Sequence, residues 1–553
     1  MSFDSCSGSG SDAGCGLKSI SQHQENRIVN LLTTAWIRGI SSPGASVKLA
    51  PHEIGRPDII DITATRADFR GAIYQLLLGL LQTAFTPTDI KTWRRYWNSP
   101  PDAELLESAF VSYRDAFELI TPIGTPAFMQ DLALEEGEQK DIAALFIDAP
   151  GGKTLRDNQD HFVKRGGIEK LSPFSAALAL FTLQINAPSG GVGHRVSVRG
   201  GGPLTTLVLP PEGDERGSLW HRLWLNVLTA EELAELPGDH RNRSRERIFP
   251  WMGATRTSEK KGMETYPEQA HPLQVYWSMP RRMRLGEAGK SGVCDLSGEP
   301  SEELTTGFLT KNYGINYAGH WQHPLTPYVL EADKEPLSIK AQPGGLGYRH
   351  WLGLAVTARQ GKLTRAPALV VRRYEARQNR LPELDFEPRL WSFGYDMDNM
   401  KARCWYEAEM PLFNLDQERR EDAGELAKKM IEAATDVLKT LRSALKNAWF
   451  DRPKDAKGDI SFIDANFWSA TEPDFYALLR GLIACLEDED AIDEQLQRWS
   501  RVLKQQAREL FDRYALSSLN EDGDLKRVVK ARDGKGGLNH YLNGSRALKH
   551  LAA

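Results

Sequence analysis

The stretch NAPSGGVGHRVSVRGGGPLTTLVLP, residues 186–210, carries glycine at 190, 191, 193, 200, 201 and 202, with Arg195 and Arg199 between them. Glycine weakens any regular element relative to alanine, so a run of this kind needs a reason. Three chemistries fit it. Backbone N–H groups freed of side chains can converge on an anion and form a phosphate nest. A bare loop can also enter the minor groove of DNA, which at ~6 Å wide excludes most structured elements. The third reading is a plain hairpin tip. A dinucleotide fingerprint does not fit, because GGVGHR lacks the GxGxxG order and no acidic residue follows a βαβ unit at the required distance.

Other residue types that do chemistry are present without a constellation around them. The sequence has no HExxH and no GxxxxGK[ST] phosphate loop, and no GxSxG elbow. His320 and His323 in GHWQHP stand three apart with no acid or thiol close by; they read as packed or turn-capping histidines before they read as metal ligands. The acidic run LEDEDAIDE reads as a helix start, where the helix dipole favours negative charge. Catalytic triads assemble in space rather than in sequence, so a hydrolase stays open as a class without positive support.

The elements that must position these residues follow from length and pattern. The 553 residues exceed one core, and two or more domains are expected. A net charge of −5 excludes a chain that is basic throughout, so any nucleic-acid site has to be a local patch. The five cysteines, Cys6, Cys15, Cys294, Cys404 and Cys485, form no CxxC pair, which fits a reducing cytoplasm and predicts neither zinc nor a disulfide framework. Residues 1–26 are Ser/Gly-rich and read as a disordered tail. Residues 27–410 mix short apolar runs such as LTTLVLP and PALVVRRY, which suggest strands, with helical stretches at 73–85 and 173–185. The basic stretch 238–262 reads as a mobile surface loop. From 411 to 553 the 3–4 spacing of Leu426, Met430, Ala434, Leu438, Leu441 and Leu445 marks a long amphipathic helix. Residues 475–486, 492–510 and 538–551 supply three more, giving a C-terminal four-helix bundle. The fold class is α+β: a large mixed N-terminal domain followed by that bundle. The apolar run at 73–85 is too short to cross a bilayer, and no membrane association is expected.

Several blocks together resemble the large subunit of type I-E Cascade, the CRISPR surveillance complex (the CasA family). They are NLLTTAWIRGI, TPAFMQD, ALFIDAPGG with TLRDNQDH, the glycine stretch with its RGGGPLTT, TGFL and HPLTPY, in the family's order from about Ile28 onward. The resemblance implies a non-catalytic subunit without cofactor. It would read the protospacer-adjacent motif on double-stranded DNA, help to open the duplex and recruit a helicase–nuclease, in company with other Cascade subunits and the guide crRNA. Gly190, Gly191 and Gly193 would then be the loop that enters the minor groove, with Arg195 and Arg199 holding phosphates or stabilising the fold and Lys311 beside the motif. Asp398, Asn399 and Met400 would be the tip of a hairpin wedge. Asp148, Gly151, Gly152 and Lys153 would be a first loop touching DNA and neighbouring subunits. Only Cys294 remains where relatives carry a cysteine cluster, so no metal is expected. An unrecognised hydrolase and a pure scaffold are the alternatives.

Overall fold

The computed structural model describes residues 29–150, 156, 166–286, 289, 291–398, 401–455, 457–517 and 524–551. The tail expected at 1–26 lies outside them, as do Gly151, Gly152, Lys153, Asn399 and Met400.

Two buried helices carry the N-terminal part. The leucine-rich run predicted at 73–85 belongs to Ala67–Ala84, which is buried on almost every side. The second, Pro173–Asn186, opens on Ser172, whose hydroxyl accepts the Ser175 N–H, with proline at the first turn. Around them stand small sheets whose strands pair antiparallel. One is a long hairpin, Arg389–Asp398 with Lys401–Pro411, extended by Thr205–Leu209 on the far side of its first strand. Another places Gly307–Lys311 between Glu138–Asp141 and Arg282–Leu285.

Two expectations change. PALVVRRY is not a strand: Leu369–Gln378 is a helix, and its buried Val370, Val371, Tyr374 and Gln378 follow helical spacing. The basic stretch 238–262 is not a loose loop. It contains the short helix Arg245–Ile248, and Ile248, Phe249 and Trp251 are buried in the core. Trp251 Nε1 donates to the Ala116 carbonyl at 2.7 Å, while Arg245 pairs with Asp115 and Arg247 with Asp239 at the surface.

The chain ends in a helical bundle. Gln417–Trp449, Ser461–Ala484 and Glu489–Ser517 pack against one another, the last beginning at the acidic run as predicted. Trp499 of the third reaches the Met430 carbonyl of the first at 3.0 Å. The fourth member is broken into Leu525–Asp533, Leu538–Gly544 and Arg546–His550, which lie against the first long helix. Among the described residues no helix is long and apolar enough to cross a membrane.

Candidate nucleic-acid interface

Pro188 keeps Ala187 out of the helical region, so the helix Pro173–Asn186 stops there and the chain turns into the glycine stretch. The stretch is tied down at its root. Ser197 N–H donates to the Ala187 carbonyl at 3.1 Å, Gly202 N–H to the Asn186 carbonyl at 3.2 Å, and the buried Arg281 donates to the Pro188 carbonyl. Its tip is held from outside by two residues that follow the strand Gly307–Lys311. Asn312 Nδ2 donates to the Val192 carbonyl at 2.8 Å, and Tyr313 N–H to the Gly193 carbonyl at 2.8 Å. With His194 N–H on the Gly191 carbonyl at 3.1 Å, three successive carbonyls at the tip accept from the protein itself.

The glycines differ in what requires them. Gly193 has φ +78°, and a Cβ there would stand 2.9 Å from Asn312 Cβ and 3.1 Å from the Tyr313 ring, so the loop's own fold excludes a side chain. A Cβ on Gly190 would run into His194 at 2.5 Å. Gly191 is different: its φ is ordinary, it is exposed, and a Cβ would meet nothing within 4 Å. Val192 beside it is 78% exposed. Residues 190–193 therefore present bare backbone and one small apolar side chain to solvent, with the exposed Ser189 and His194 on either side.

The two arginines part company. Arg195 is half-buried; its Nε and Nη2 donate to Ser258 Oγ at 2.7 Å and Ser258 O at 2.9 Å, and its guanidinium lies 5.8 Å from the Tyr313 ring centre. Arg199 is buried, which leaves the second of the two roles expected for it, stabilising the fold. Its Nη1 donates to Thr205 and Thr326 at 3.0 and 3.2 Å, and its Nη2 to Gln75 and the Ile185 carbonyl at 2.9 and 3.1 Å. Burial pushes its pKa down to about 10, so it remains a cation at neutral pH, bonded to neutral acceptors. Four of its five N–H donors are spent joining the helices to the sheet, and burial closes the guanidinium off from a phosphate.

Lys311 is exposed at the end of its strand, immediately before Asn312. The hairpin lies on the other side of the glycine stretch: a Cβ on Gly202 would stand 2.3 Å from Met397 Cγ and 3.5 Å from the Tyr395 carbonyl. Its strands stay paired as far as Asp398 opposite Lys401, and Arg403 Nη2 bonds the buried Asp396 at 2.7 Å across them. Asp148 flanks the same hairpin. It pairs with Arg66 at 3.0 Å, and together with Asp68, Tyr395, Arg403 and Trp405 it borders a shallow cavity. Asp148, the glycine stretch and Asp398 thus lie along one hairpin; the remaining wedge and first-loop residues are outside the described ones.

The sequence reading missed the residues that hold the loop, Asn312, Tyr313, Ser258 and Arg281. The only signal for the first two is their place after Lys311 in TKNYG. His323 is buried, and its Nδ1 accepts the Leu325 N–H at 3.1 Å, the turn-capping role expected for it. Among the described residues no group of three His, Cys, Asp or Glu side chains stands within reach of a common metal ion.

This α+β fold, ending in a helical bundle, is similar to that of solved CasA and Cse1 structures. Thermobifida fusca Cse1 superposes with a TM-score of 0.66 at 18% identity, covering 95% of this chain and 97% of that one. Thermus thermophilus CasA (Cse1) gives 0.62 at 19%, covering 95% and 99%. A chain of a CRISPR RNA-guided surveillance complex gives 0.61 at 15%, covering 95% and all of that chain. At these identities the likeness is one of fold. The model of the CRISPR-associated protein Cse1 family matches residues 30–510, and the chain belongs to that family.

Proposed function

We propose that this chain is the large subunit of a CRISPR RNA-guided surveillance complex, and that it reads the motif flanking the target in double-stranded DNA. The tip at 190–193 enters the minor groove, with Lys311 and Arg195 near the phosphates. The hairpin beside it, with Asp398, Asn399 and Met400 at its end, splits the adjoining base pair and starts R-loop formation. Asp148 and the Gly151, Gly152 and Lys153 that follow it meet DNA and neighbouring subunits. The partners on this reading are the other subunits, the guide crRNA, the target duplex and a helicase–nuclease recruited after opening. The chain itself makes no covalent step, needs no cofactor and works in the cytoplasm. A net acidic subunit fills this role when its cations gather at one face, and phosphate contacts then make binding strongly salt-dependent.

The observation that carries the reading is Gly191. Its neighbours are glycines for reasons internal to the protein, whereas Gly191 faces open space with ordinary backbone angles. We read that open space, at the tip of a loop held from outside, as room for something beyond the chain. A groove that shows similar acceptors for both base-pair orders also fits a loop whose tip carbonyls are already engaged.

The test is gel-shift binding of the complex reconstituted with its guide RNA, on duplexes differing only in the flanking trinucleotide. Gly191→Asp leaves thermal stability unchanged and weakens binding to the preferred duplex by roughly tenfold or more, equivalent to at least ~1.4 kcal/mol. Undiminished binding by a folded Gly191→Asp complex would favour the scaffold alternative. Metal-dependent cleavage of DNA by the isolated chain would favour the hydrolase.

A further inference from the structure

Residues 337–351 touch the close of the glycine stretch, the hairpin and the bundle. At their start, Ser338 Oγ donates to the Arg199 carbonyl at 2.6 Å, Leu204 N–H donates to the Ile339 carbonyl at 2.9 Å, and Lys340 bridges to Pro203. This end is bound to the close of the glycine stretch. Next, Ala341 forms a parallel bridge with Asp396 on the hairpin's first strand, and a Cβ on Gly345 would lie 3.9 Å from the Tyr406 ring on its second. Gly344 and Gly345 both have positive φ, +87° and +82°, and turn the chain sharply toward the bundle.

There the segment ends in an anchor. Tyr348 is fully buried between bundle helices. Its ring stacks on Phe475 with centroids 4.2 Å apart and meets Trp468 and Trp499 edge-on. Its hydroxyl is 2.9 Å from Thr471 Oγ1, and its N–H donates to Glu472 at 3.0 Å. Arg349 folds back to bond the Pro343 and Gly345 carbonyls at 2.9 and 2.6 Å, closing the turn. Trp351 Nε1 then donates to the Pro411 carbonyl, where the hairpin leaves its sheet, at 3.0 Å.

We infer that residues 337–351 are a strap by which the helical bundle fixes the position of the hairpin, with Tyr348 as the positioning residue. A two-stranded ribbon standing out from a sheet is marginally stable alone. Here each strand touches a segment whose far end is locked between the helices of the bundle. The hairpin's aim is then set by the bundle as well as by its own sheet, and loosening the anchor lets the hairpin sway without unpairing it. The mechanical part of this inference stands on the contacts alone; its consequence for DNA opening rests on the proposed function.

The experiment uses the full chain assembled with its guide RNA and partner subunits. A nitroxide is placed on the exposed Cys404 of the hairpin, in a background with Cys6, Cys15 and Cys485 replaced by serine. Three variants are compared: Tyr348→Leu, Tyr348→Phe, and two glycines inserted between the exposed Gln342 and Pro343. The insertion lengthens the strap while leaving the Tyr348 pocket and the hairpin intact, so it decides the matter even where Tyr348→Leu fails to fold. Expected are a more mobile spectrum for Tyr348→Leu and the insertion, and a near wild-type spectrum for Tyr348→Phe, which keeps the ring. In parallel, fluorescence of 2-aminopurine beside the flanking motif reports opening. We expect it to slow roughly tenfold in the two loosened variants, with initial duplex affinity changed by no more than about twofold, a coupling of ordinary size. An unchanged Cys404 spectrum in the insertion variant overturns the strap. A wild-type complex that binds no duplex overturns the proposed function, while the nitroxide result still decides the strap.

Discussion

Residues 186–203 and 238–262 look alike in the sequence, both punctuated by glycine and rich in arginine, and they fold in opposite ways. The second is pinned from within: Ile248, Phe249 and Trp251 are carried by the stretch itself and sink into the core, with the arginines left around the rim. The first has no aromatic of its own. Its buried Arg199 ties the end of the stretch to the helices and sheet, while the loop before it is held from outside, by Asn312, Tyr313 and Arg281 bonding to its backbone, and its tip stays bare. Anchor residues decide whether a basic, glycine-rich segment becomes structure or surface. The count of arginines decides neither.

The contrast can be broken by removing the anchor. Trp251→Ala empties a fully buried site and should cost about 4 kcal/mol. Calorimetry should show a large fall in Tm, and a Tm within a few degrees of wild type would mean the stretch is not pinned there.

Acid should also act on the folded stretch. His271 donates its N–H to the Arg247 carbonyl at 3.1 Å, and its Nδ1 accepts the Leu273 N–H. Burial first, then the nearby Arg243 and His240, push its pKa from 6.5 down to about 4. Between those values the unfolded chain binds the extra proton, so stability is complete above pH 6.5 and is lost as pH falls toward 4. The loss from this residue is at most about 3 kcal/mol. His271→Asn keeps an acceptor for Leu273 and should flatten the Tm–pH curve in that window; an unaltered slope would assign the acid sensitivity elsewhere.

Within the glycine stretch, Arg199→Met should cost about 2 kcal/mol by stranding buried acceptors, among them Gln75 and the Ile185 carbonyl. Chemical denaturation measures it, and a neutral result would free Arg199 for another role. The smallest effect is expected at Gly191→Ala, within about 0.5 kcal/mol of wild type. Gly193→Ala should cost more, about 1 kcal/mol or above, because of its left-handed backbone.

Much of the frame was legible. Continuous apolar runs marked the helices Ala67–Ala84 and Pro173–Asn186, and heptad-like spacing marked Gln417–Trp449. Leu369–Gln378 was misread because adjacent valines favour a strand locally, and only the later Tyr374 and Gln378 reveal the helical period. Leu525–Asp533 escaped notice because it buries little more than Val528 and Ala531. At the site, residue type pointed to the loop but could not sort its members. Arginine reads as a surface cation, yet Arg199 is interior because the helix end and two threonines surround it with acceptors. Nothing in the sequence separates Gly191 from Gly193, since the difference lies in what Tyr313 occupies.

The most direct measurement places a cleavage reagent at the tip itself. Val192→Cys, carrying tethered iron–EDTA in the reconstituted complex bound to its target duplex, should cut both strands within the base pairs flanking the target and nowhere else. A bound complex that leaves those base pairs uncut, or cuts at a distance from them, would contradict the claim that the bare tip at 190–193 lies in the groove beside the target.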